Sequence, residues 1–262
     1  MSVLRVLGVG VLGPGLPSWE AARLTLSNQQ PYRYELPAEP RPELLPPNER
    51  RRGARTVRWA LAVAQEAIRA SGIPASDIAS VFCSSSGDGE TLHEICETLA
   101  TATREVSPTR FHNSVHNAAA GYWSIAAGSR RNSITLCGHD ASFGLGLLEA
   151  SALLHAGEDT VLLVVYDLPY PEPLLSARPI TQPLAIAVVL SRKTGLPALA
   201  QWRLSLVREA SAGASAGVWP EALDANPAAA GLPLLAAVAR RTPHTVRIGI
   251  GASQTVIVEC TP

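Results

Sequence analysis

The hydrophobic positions of the chain alternate between short apolar runs and segments with helical spacing. Apolar runs that predict buried strands occupy residues 3–12, 78–83, 132–137 and 160–166. The clearest helical pattern covers residues 50–70, with apolar side chains three and four positions apart and a stop at Gly72 and Pro74. Further helices are predicted over residues 19–27, 90–103, 115–127 and 144–155. Strands and helices in alternation predict an α/β fold with a mostly parallel, helix-covered sheet.

The pattern changes after Asp167, where a proline-rich loop covers residues 168–183. Beyond it the sequence predicts a hairpin of two strands, at 184–191 and 198–209. A short helix at 232–240 and a closing strand pair at 246–260 follow. We therefore expect one domain over residues 1–262, whose C-terminal part from about residue 184 is shortened.

Composition narrows the function classes. The 262 residues carry 22 basic and 22 acidic side chains, and this balance argues against a nucleic-acid partner. Without a run of about 18 apolar residues, we expect no membrane span. The four cysteines form no CxxC pair and no dense framework, which favours a cytoplasmic location.

The glycines of Gly8-x-Gly10-x-x-Gly13 have the spacing of a dinucleotide-binding turn. That site also needs an immediate helix and an acidic residue at the tip of a second strand, whereas Glu35 lies in a proline-rich segment. We expect the glycines to serve a tight turn and close backbone packing, and we predict no cofactor.

Three histidines raise the question of a metal site. His112 and His116 stand four apart, and His139 follows later. The residues between the first two include no carboxylate, and Asn113 and Ser114 favour a helix start there. We expect hydrogen-bonded structural histidines and no metal.

A basic cluster stands at the front of the predicted helix 50–70, at Arg50, Arg51, Arg52, Arg55 and Arg58. Cations at a helix N-terminus oppose the helix dipole. The cluster is either a solvated face or a docking surface for an acidic partner.

Residues 137–140 (Cys-Gly-His-Asp) link a predicted strand to a predicted helix, a position that suits a nucleophile. We expect Cys137 to point into packing from the strand. Asp140 is predicted to cap the helix through the backbone N–H of Ser142 or Phe143.

Several segments together resemble the β-ketoacyl synthases of the thiolase fold. They include an opening strand with its glycine turn, an arginine-bearing helix, and a strand, turn and helix that hold the family nucleophile. The matching segments are 3–15, 48–72, 80–90, 116–128, 132–167, 184–192 and 247–260. The resemblance implies a truncated thiolase-like fold whose second half is much reduced.

The departures from the family concern catalysis. A gap-free alignment of helix 144–155 places Asp140 where the family has its acyl-accepting cysteine, and a one-residue gap would place His139 there. The span between residues 191 and 246 leaves room for about one hairpin and one helix. The two histidine motifs of the family are therefore missing, and His244 matches neither.

With these departures the chain resembles the short ketoacyl-synthase-like proteins of bacterial aryl-polyene and related yellow-pigment gene clusters. This resemblance implies a chain-length-factor-like subunit that is not an enzyme by itself. Its partner would be a complete β-ketoacyl synthase, in a heterodimer whose acyl tunnel it helps to shape. The residues expected to bound the tunnel are Phe111, His112, His116, Asn117, Tyr122 and Trp123.

Two alternatives remain open. The chain could be an acyltransferase or hydrolase that uses Cys137, or His139 with Asp140. It could instead be a module that binds an acidic acyl carrier protein through Arg51, Arg52 and Arg55.

Overall fold

The apolar runs of the chain form one mixed sheet. The computed structural model describes residues 3–210 and 217–262. Within these residues the strands are β1 (Val3–Leu12), β2 (Ala79–Ser84), β3 (Ser133–Cys137), β4 (Thr160–Asp167), β5 (Leu184–Ser191), β6 (Ala200–Val207), β7 (His244–Gly251) and β8 (Gln254–Thr261). Their order across the sheet is β3-β2-β4-β5-β1-β6-β8-β7. An α/β fold of the expected class is confirmed.

The described helices follow the predicted segments closely, with two additions. They are α1 (Trp19–Leu26), α2 (Pro47–Arg52), α3 (Arg55–Ser71), α4 (Gly89–Ala100), α5 (Pro108–Asn113), α6 (Ala118–Ala127), α7 (Ser142–His155), α8 (Leu174–Ala177) and α9 (Leu232–Arg240). Short 3₁₀ turns lie at Ala75–Asp77, His139–Ala141, Glu221–Leu223 and Pro227–Gly231. The additions are α5 and α8, which are too short to show a periodic pattern.

The expectation of a mostly parallel sheet is wrong. Only the pairings of β2 with β3 and of β2 with β4 are parallel, and all others between named strands are antiparallel. Strands β1 to β4 do run in the same direction, because helices carry the chain back before β2, β3 and β4. The loop after β4 makes no such return, so β5 runs back and inserts between β4 and β1.

The predicted hairpin of β5 and β6 is also wrong. Strand β1 lies between them and pairs antiparallel with both, Val11 with Ile186 of β5 and Leu4 with Trp202 of β6. Two strands that are consecutive in the sequence form a hairpin only when no third strand pairs between them. Here β1, which is buried along most of its length, forms the backbone hydrogen bonds with both β5 and β6.

Helices cover both faces of the sheet and enclose two hydrophobic cores. One core joins the sheet to α1, α7 and α9, through side chains such as Leu26, Phe143 and Leu235. The other joins it to α3 and α6, through Trp59 and Trp123. The arrangement agrees with the helix-covered sheet expected from the sequence.

Two glycines of β1 allow the backbones of β1 and α3 to come into direct contact in the second core. A Cβ atom at Gly8 would lie 2.1 Å from the carbonyl oxygen of Ala67, and one at Gly10 would lie 2.1 Å from that of Val63. Both carbonyls belong to α3, so the backbones of β1 and α3 touch directly. This confirms that the glycine spacing serves packing.

The segment predicted as one helix over 50–70 consists of two. Helix α2 ends at Arg52, Gly53 has an extended backbone, and α3 starts at Arg55. Glycine lacks the side chain that would favour continuing the helix. The arginines at 50–52 therefore occupy the last turn of α2, where the helix dipole favours cations.

Candidate functional site

The carboxyl ends of three neighbouring strands lie side by side in the sheet. Ser84, Cys137 and Asp167 are the last residues of β2, β3 and β4, and Ser84 pairs with Cys137 in the parallel register. The carboxyl ends of parallel strands are where α/β sheets place their sites. The candidate site comprises these three strand ends and the turn between β3 and α7. We call this turn, residues 138–141, the elbow.

The elbow is a tight turn with one strained residue. His139 has a φ of 50°, in the left-handed region that non-glycine residues rarely occupy. The Ser142 hydroxyl, at the start of α7, lies 2.7 Å from the His139 carbonyl oxygen and 2.9 Å from that of Ser84. The N–H of Gly138 donates to the same Ser84 carbonyl. The elbow is thereby fixed to the end of β2.

The prediction that Asp140 caps α7 is wrong. The residue before the helix is Ala141, which provides no side-chain cap, and the Asp140 carboxylate points away toward Arg178. Asp140 Oδ1 lies 2.6 Å from Arg178 Nη2. The 3₁₀ turn moves the helix start past Asp140, and an arginine from the loop after β4 provides a stronger partner than a backbone N–H.

His139 belongs to the same cluster. Its Nδ1 lies 3.2 Å from Asp140 Oδ2 and 3.0 Å from Arg178 Nη1, and Nε2 also contacts that guanidinium. Both imidazole and carboxylate are exposed, while Arg178 is largely buried. The elbow thus presents the imidazole and the carboxylate to the surface, with both side chains held by Arg178.

Cys137 is exposed, contrary to the expectation that it points into packing. Strand β3 is the edge of the sheet, so only its inner side is covered. The Cys137 sulfur lies 3.9 Å from Ser84 Oγ, the one hydrogen-bond partner that the described residues give it. A nucleophilic thiol needs a base within hydrogen-bond reach, and the described contacts provide none.

Behind the elbow lies a buried polar cluster around Asp167, the last residue of β4. Asp167 Oδ1 accepts hydrogen bonds from Ser85 N–H at 2.9 Å and from Ser85 Oγ at 2.6 Å. The Tyr170 hydroxyl contacts both Ser85 Oγ and Ser86 Oγ. Burial raises the pKa of Asp167 to about 7, although the Ser85 hydrogen bonds and the charge of Arg178 oppose this.

The residues predicted to bound a tunnel divide into two groups. Phe111, His112, His116 and Asn117 are exposed along α5 and the link to α6. Tyr122 and Trp123 are buried on α6. The ring of Tyr122 meets His112 edge-on at 5.7 Å, and Trp123 packs near Phe82. Their role at a tunnel stays a prediction.

The arginines predicted to dock a carrier already have partners within the chain. Arg55 bonds Glu39 at 2.6 Å, Arg51 contacts Asn48, and Arg52 is 3.9 Å from Glu49. A surface cavity of about 460 Å³ beside them is lined by the charged side chains of Glu39, Arg41, Arg50, Arg51 and Arg58. Carrier docking also stays a prediction.

Neither a metal cluster nor a membrane helix is found in the part of the chain that the structure describes. No group of three His, Cys, Asp or Glu side chains there could hold a metal ion. No described helix is long and apolar enough to cross a membrane.

The chain matches one protein family and many solved structures. Residues 25–246 match the family described as "Beta-ketoacyl synthase, N-terminal domain". A chain of the ketosynthase ApeO in complex with its chain length factor ApeC, from Xenorhabdus doucetiae, is 23% identical with a TM-score of 0.74. That match covers 99% of this chain and 100% of the other. No curated protein was found to match.

Two further structures resemble the fold at lower identity. The ishigamide ketosynthase/chain length factor has a TM-score of 0.73 at 13% identity, covering 99% of each chain. A chain of AntDE:AntF, a type II polyketide acyl-carrier protein in complex with its ketosynthase, has a TM-score of 0.79 at 10% identity, covering 100% of this chain and 99% of that one. These likenesses show a shared thiolase-like ketosynthase fold.

Proposed function

The chain belongs to the family of β-ketoacyl synthase N-terminal domains, and on that premise we propose that it is a non-catalytic, chain-length-factor-like subunit. It pairs with a complete β-ketoacyl synthase and bounds the tunnel that receives the growing acyl chain. The pair works in the cytoplasm on an aryl polyene or a related fatty-acid-type product. Residues 1–262 act as one unit in this pair.

The elbow is the observation that carries this proposal. Decarboxylative condensation requires a thiolate nucleophile and donors for the developing oxyanion. At the elbow the side chains are those of His139 and Asp140, and the carboxylate of Asp140 is held by Arg178. An ion-paired carboxylate accepts no acyl group from a thioester at neutral pH, so the synthase partner must provide the nucleophile.

The outer edge of β3 supports pairing with another chain. Strand β3 ends the sheet on the side of the elbow, and no described strand covers its outer edge. Its sequence, Ser-Ile-Thr-Leu-Cys, carries no charge and no proline, the usual devices that protect a free edge. On the adjacent helix α6, Ile125 is 63% exposed. An uncharged edge beside an exposed apolar side chain suits a permanent partner.

The solved relatives support the same assignment. Two of the three structures reported above are, by their descriptions, complexes of a ketosynthase with a chain length factor. Their fold spans this chain over nearly its whole length.

The test is association with a complete, Cys-bearing β-ketoacyl synthase. We expect co-expression to yield a one-to-one complex by light scattering. Ile125→Glu should weaken that complex about tenfold or more. A well-behaved monomer that ignores the synthase would contradict the proposal.

Leu206→Glu provides the matched control. Leu206 is 53% exposed, similar to Ile125, but lies on β6. Strand β6 is five positions from β3, about 24 Å at the usual strand spacing. Equal losses from both variants would show a general effect of surface charge and remove the evidence for this interface.

One observation favours a second function, acyl transfer by Cys137, because that thiol is exposed at the end of β3, next to the elbow. Incubation with an acyl thioester followed by intact mass measurement tests it. Acylation that persists in Cys96→Ala but disappears in Cys137→Ala would establish this alternative. Cys96 is the matched control because it is the other exposed cysteine.

The cavity beside α2 supports carrier binding as an additional activity. Arg41, Arg50 and Arg51 line it. Reversal of Arg51 to Glu should abolish salt-sensitive binding of an acidic acyl carrier. Reversal of Arg69, an exposed arginine near the other end of α3, is the control.

A further inference from the structure

A surface cavity lies between helix α1 and the proline-rich segment that follows it, residues 30–38, which we call the strap. The cavity has a volume of about 660 Å³, within the range of sites that hold small molecules. Ala21 and Thr25 of α1, four residues apart and therefore on one face of the helix, line one side. Most of the other lining residues belong to the strap. The cavity includes no residue of the elbow or of the arginine cluster.

Three hydrogen bonds hold the strap in place beside the cavity. The Tyr32 hydroxyl donates to the Pro14 carbonyl at 2.9 Å, and the N–H of Gly15 donates to the Glu35 carbonyl at 2.8 Å. The Tyr34 hydroxyl donates to the side-chain oxygen of Gln182 at 3.0 Å. The strap is thus fixed to the turn after β1 and to the loop before β5, so the cavity exists before any ligand binds.

The cavity lies at the end of the sheet that also carries the candidate site. Strands β1 and β4 both pair antiparallel with β5, so β1 runs in the same direction as β4 and ends on the same side. Ligands of α/β sheets bind outside the carboxyl ends of such strands. Strand β1 is four positions from β3, about 19 Å at the usual strand spacing, so the cavity and the elbow are separate places.

Two opposite charges of the strap line the cavity. Arg33 and Glu35 both belong to its lining, whereas the tyrosines on either side of Arg33 bond elsewhere. This alternation is that of extended backbone, in which residues two apart are separated by about 7 Å. Both side chains are exposed, and neither forms an ion pair with another residue in the described part of the chain. The cavity therefore offers one cation and one anion to a ligand.

A buried hydroxyl without a partner lies on the opposite side. Thr25 is only 7% exposed, and its side chain has no hydrogen-bond partner among residues 3–210 and 217–262. A buried polar group without a partner is destabilising, and a polar ligand atom in the cavity would remove that cost. Apolar surface is present as well, because Leu36 of the strap is 58% exposed beside Pro31 and Pro37.

We propose that this cavity binds a short zwitterionic peptide, a dipeptide with apolar side chains. Its carboxylate pairs with Arg33, its ammonium group pairs with Glu35, and the Thr25 hydroxyl bonds a polar atom of its backbone. An extended dipeptide spans about 7 Å, the separation of the two charged residues, whereas a free amino acid is about half as long. Its apolar side chains cover Leu36. The inference does not depend on pairing with a synthase.

The test is isothermal titration calorimetry of the full chain with leucyl-leucine. We expect binding that weakens about tenfold or more when the peptide is acetylated at its amine or amidated at its carboxylate, because each change removes one charged partner. Arg33→Gln and Glu35→Gln should each weaken binding by a similar factor. Arg23→Gln and Glu43→Gln are the matched controls, because both residues are exposed and lie outside the cavity lining.

A second pair of variants isolates the buried hydroxyl. Thr25→Val keeps the shape of the side chain without the hydroxyl, and we expect it to weaken binding about fivefold. Thr25→Ser keeps the hydroxyl and should bind within about twofold of the wild type. Circular dichroism confirms that each variant is folded. Equal losses from the two variants would overturn the role of the hydroxyl.

The remaining outcomes decide the proposal as a whole. No binding of leucyl-leucine at concentrations up to about 10 mM would overturn it. Equal affinity for the peptide with both ends capped would overturn the recognition of charge. Binding that is unchanged in both Arg33→Gln and Glu35→Gln would place the ligand elsewhere and overturn the assignment. Failure of the chain to associate with a synthase would contradict only the proposed function, since this titration uses the chain alone.

Discussion

Asp140 and Arg178 form a 2.6 Å ion pair in which the carboxylate side chain is 76% exposed and the arginine side chain only 16%. The two partners therefore contribute unequally to stability. Asp140→Asn should lower the free energy of unfolding by less than about 1 kcal/mol, because an exposed charge is well solvated. Arg178→Ala should cost about 2 kcal/mol, because it also removes buried packing and hydrogen bonds. Urea denaturation of both variants measures this, and equal costs would contradict it.

A thiol at the elbow should not create a synthase. In Asp140→Cys the new side chain is accessible, so we expect it to be alkylated readily by iodoacetamide. Condensation of acyl and malonyl thioesters should nevertheless stay at background, because the chain lacks the histidine motifs that bind the oxyanion. Steady turnover by the variant alone, against a complete synthase as the positive control, would show that the elbow retains more of the catalytic machinery than proposed.

The buried carboxyl of Asp167 should make stability depend on pH. Burial raises its pKa from 3.8 to about 7, so the folded protein holds this proton more tightly than the unfolded chain does. The stability from this group is full below about pH 4 and is lost as pH rises to about 7, with a change on the order of 4 kcal/mol.

Asp167→Asn isolates that effect. The amide oxygen can accept the Ser85 hydrogen bonds, but the group does not titrate. Relative to the wild type, the variant should be less stable at pH 4 and gain steadily up to pH 8. Urea denaturation across this range measures the difference, and parallel pH profiles for the two proteins would contradict the assignment.

Close packing of β1 on α3 should make Gly10 intolerant of a side chain. In Gly10→Ala the new methyl group would meet the Val63 carbonyl at 2.1 Å, so we expect a loss of about 3 kcal/mol. Gly121→Ala on α6 is the control, because nothing lies within 4 Å of its Cβ position and alanine favours the helix by about 1 kcal/mol. Thermal unfolding should separate the two, and a tolerated Gly10→Ala would mean that α3 can move away.

Sequence patterns predicted local structure well and distant contacts poorly. The bounds of β5 and α9 agree with the prediction because continuous apolar runs and turn residues delimit them. The position of β1 between β5 and β6 was missed, since strand pairing depends on residues nearly 200 positions apart. Periodicity carries no information about such partners.

The candidate site shows the same division. The elbow was located from the change between a predicted strand and a predicted helix at residues 137–140. The direction of the Asp140 side chain was not predicted, because its partner Arg178 lies 38 positions away in the sequence. The exposure of Cys137 was missed as well, since the sequence does not show that β3 is an edge strand.

The uncharged outer edge of β3 also affects how long an unpaired copy of the protein survives in a cell. Backbone groups that face solvent along an apolar strand invite aggregation, chaperone capture and proteolysis. The pairing proposed above therefore implies that copies made in excess of the synthase expose this strand and are removed. The steady-state amount of the polypeptide should then follow the supply of the synthase, which quantitative immunoblotting with and without the synthase would measure.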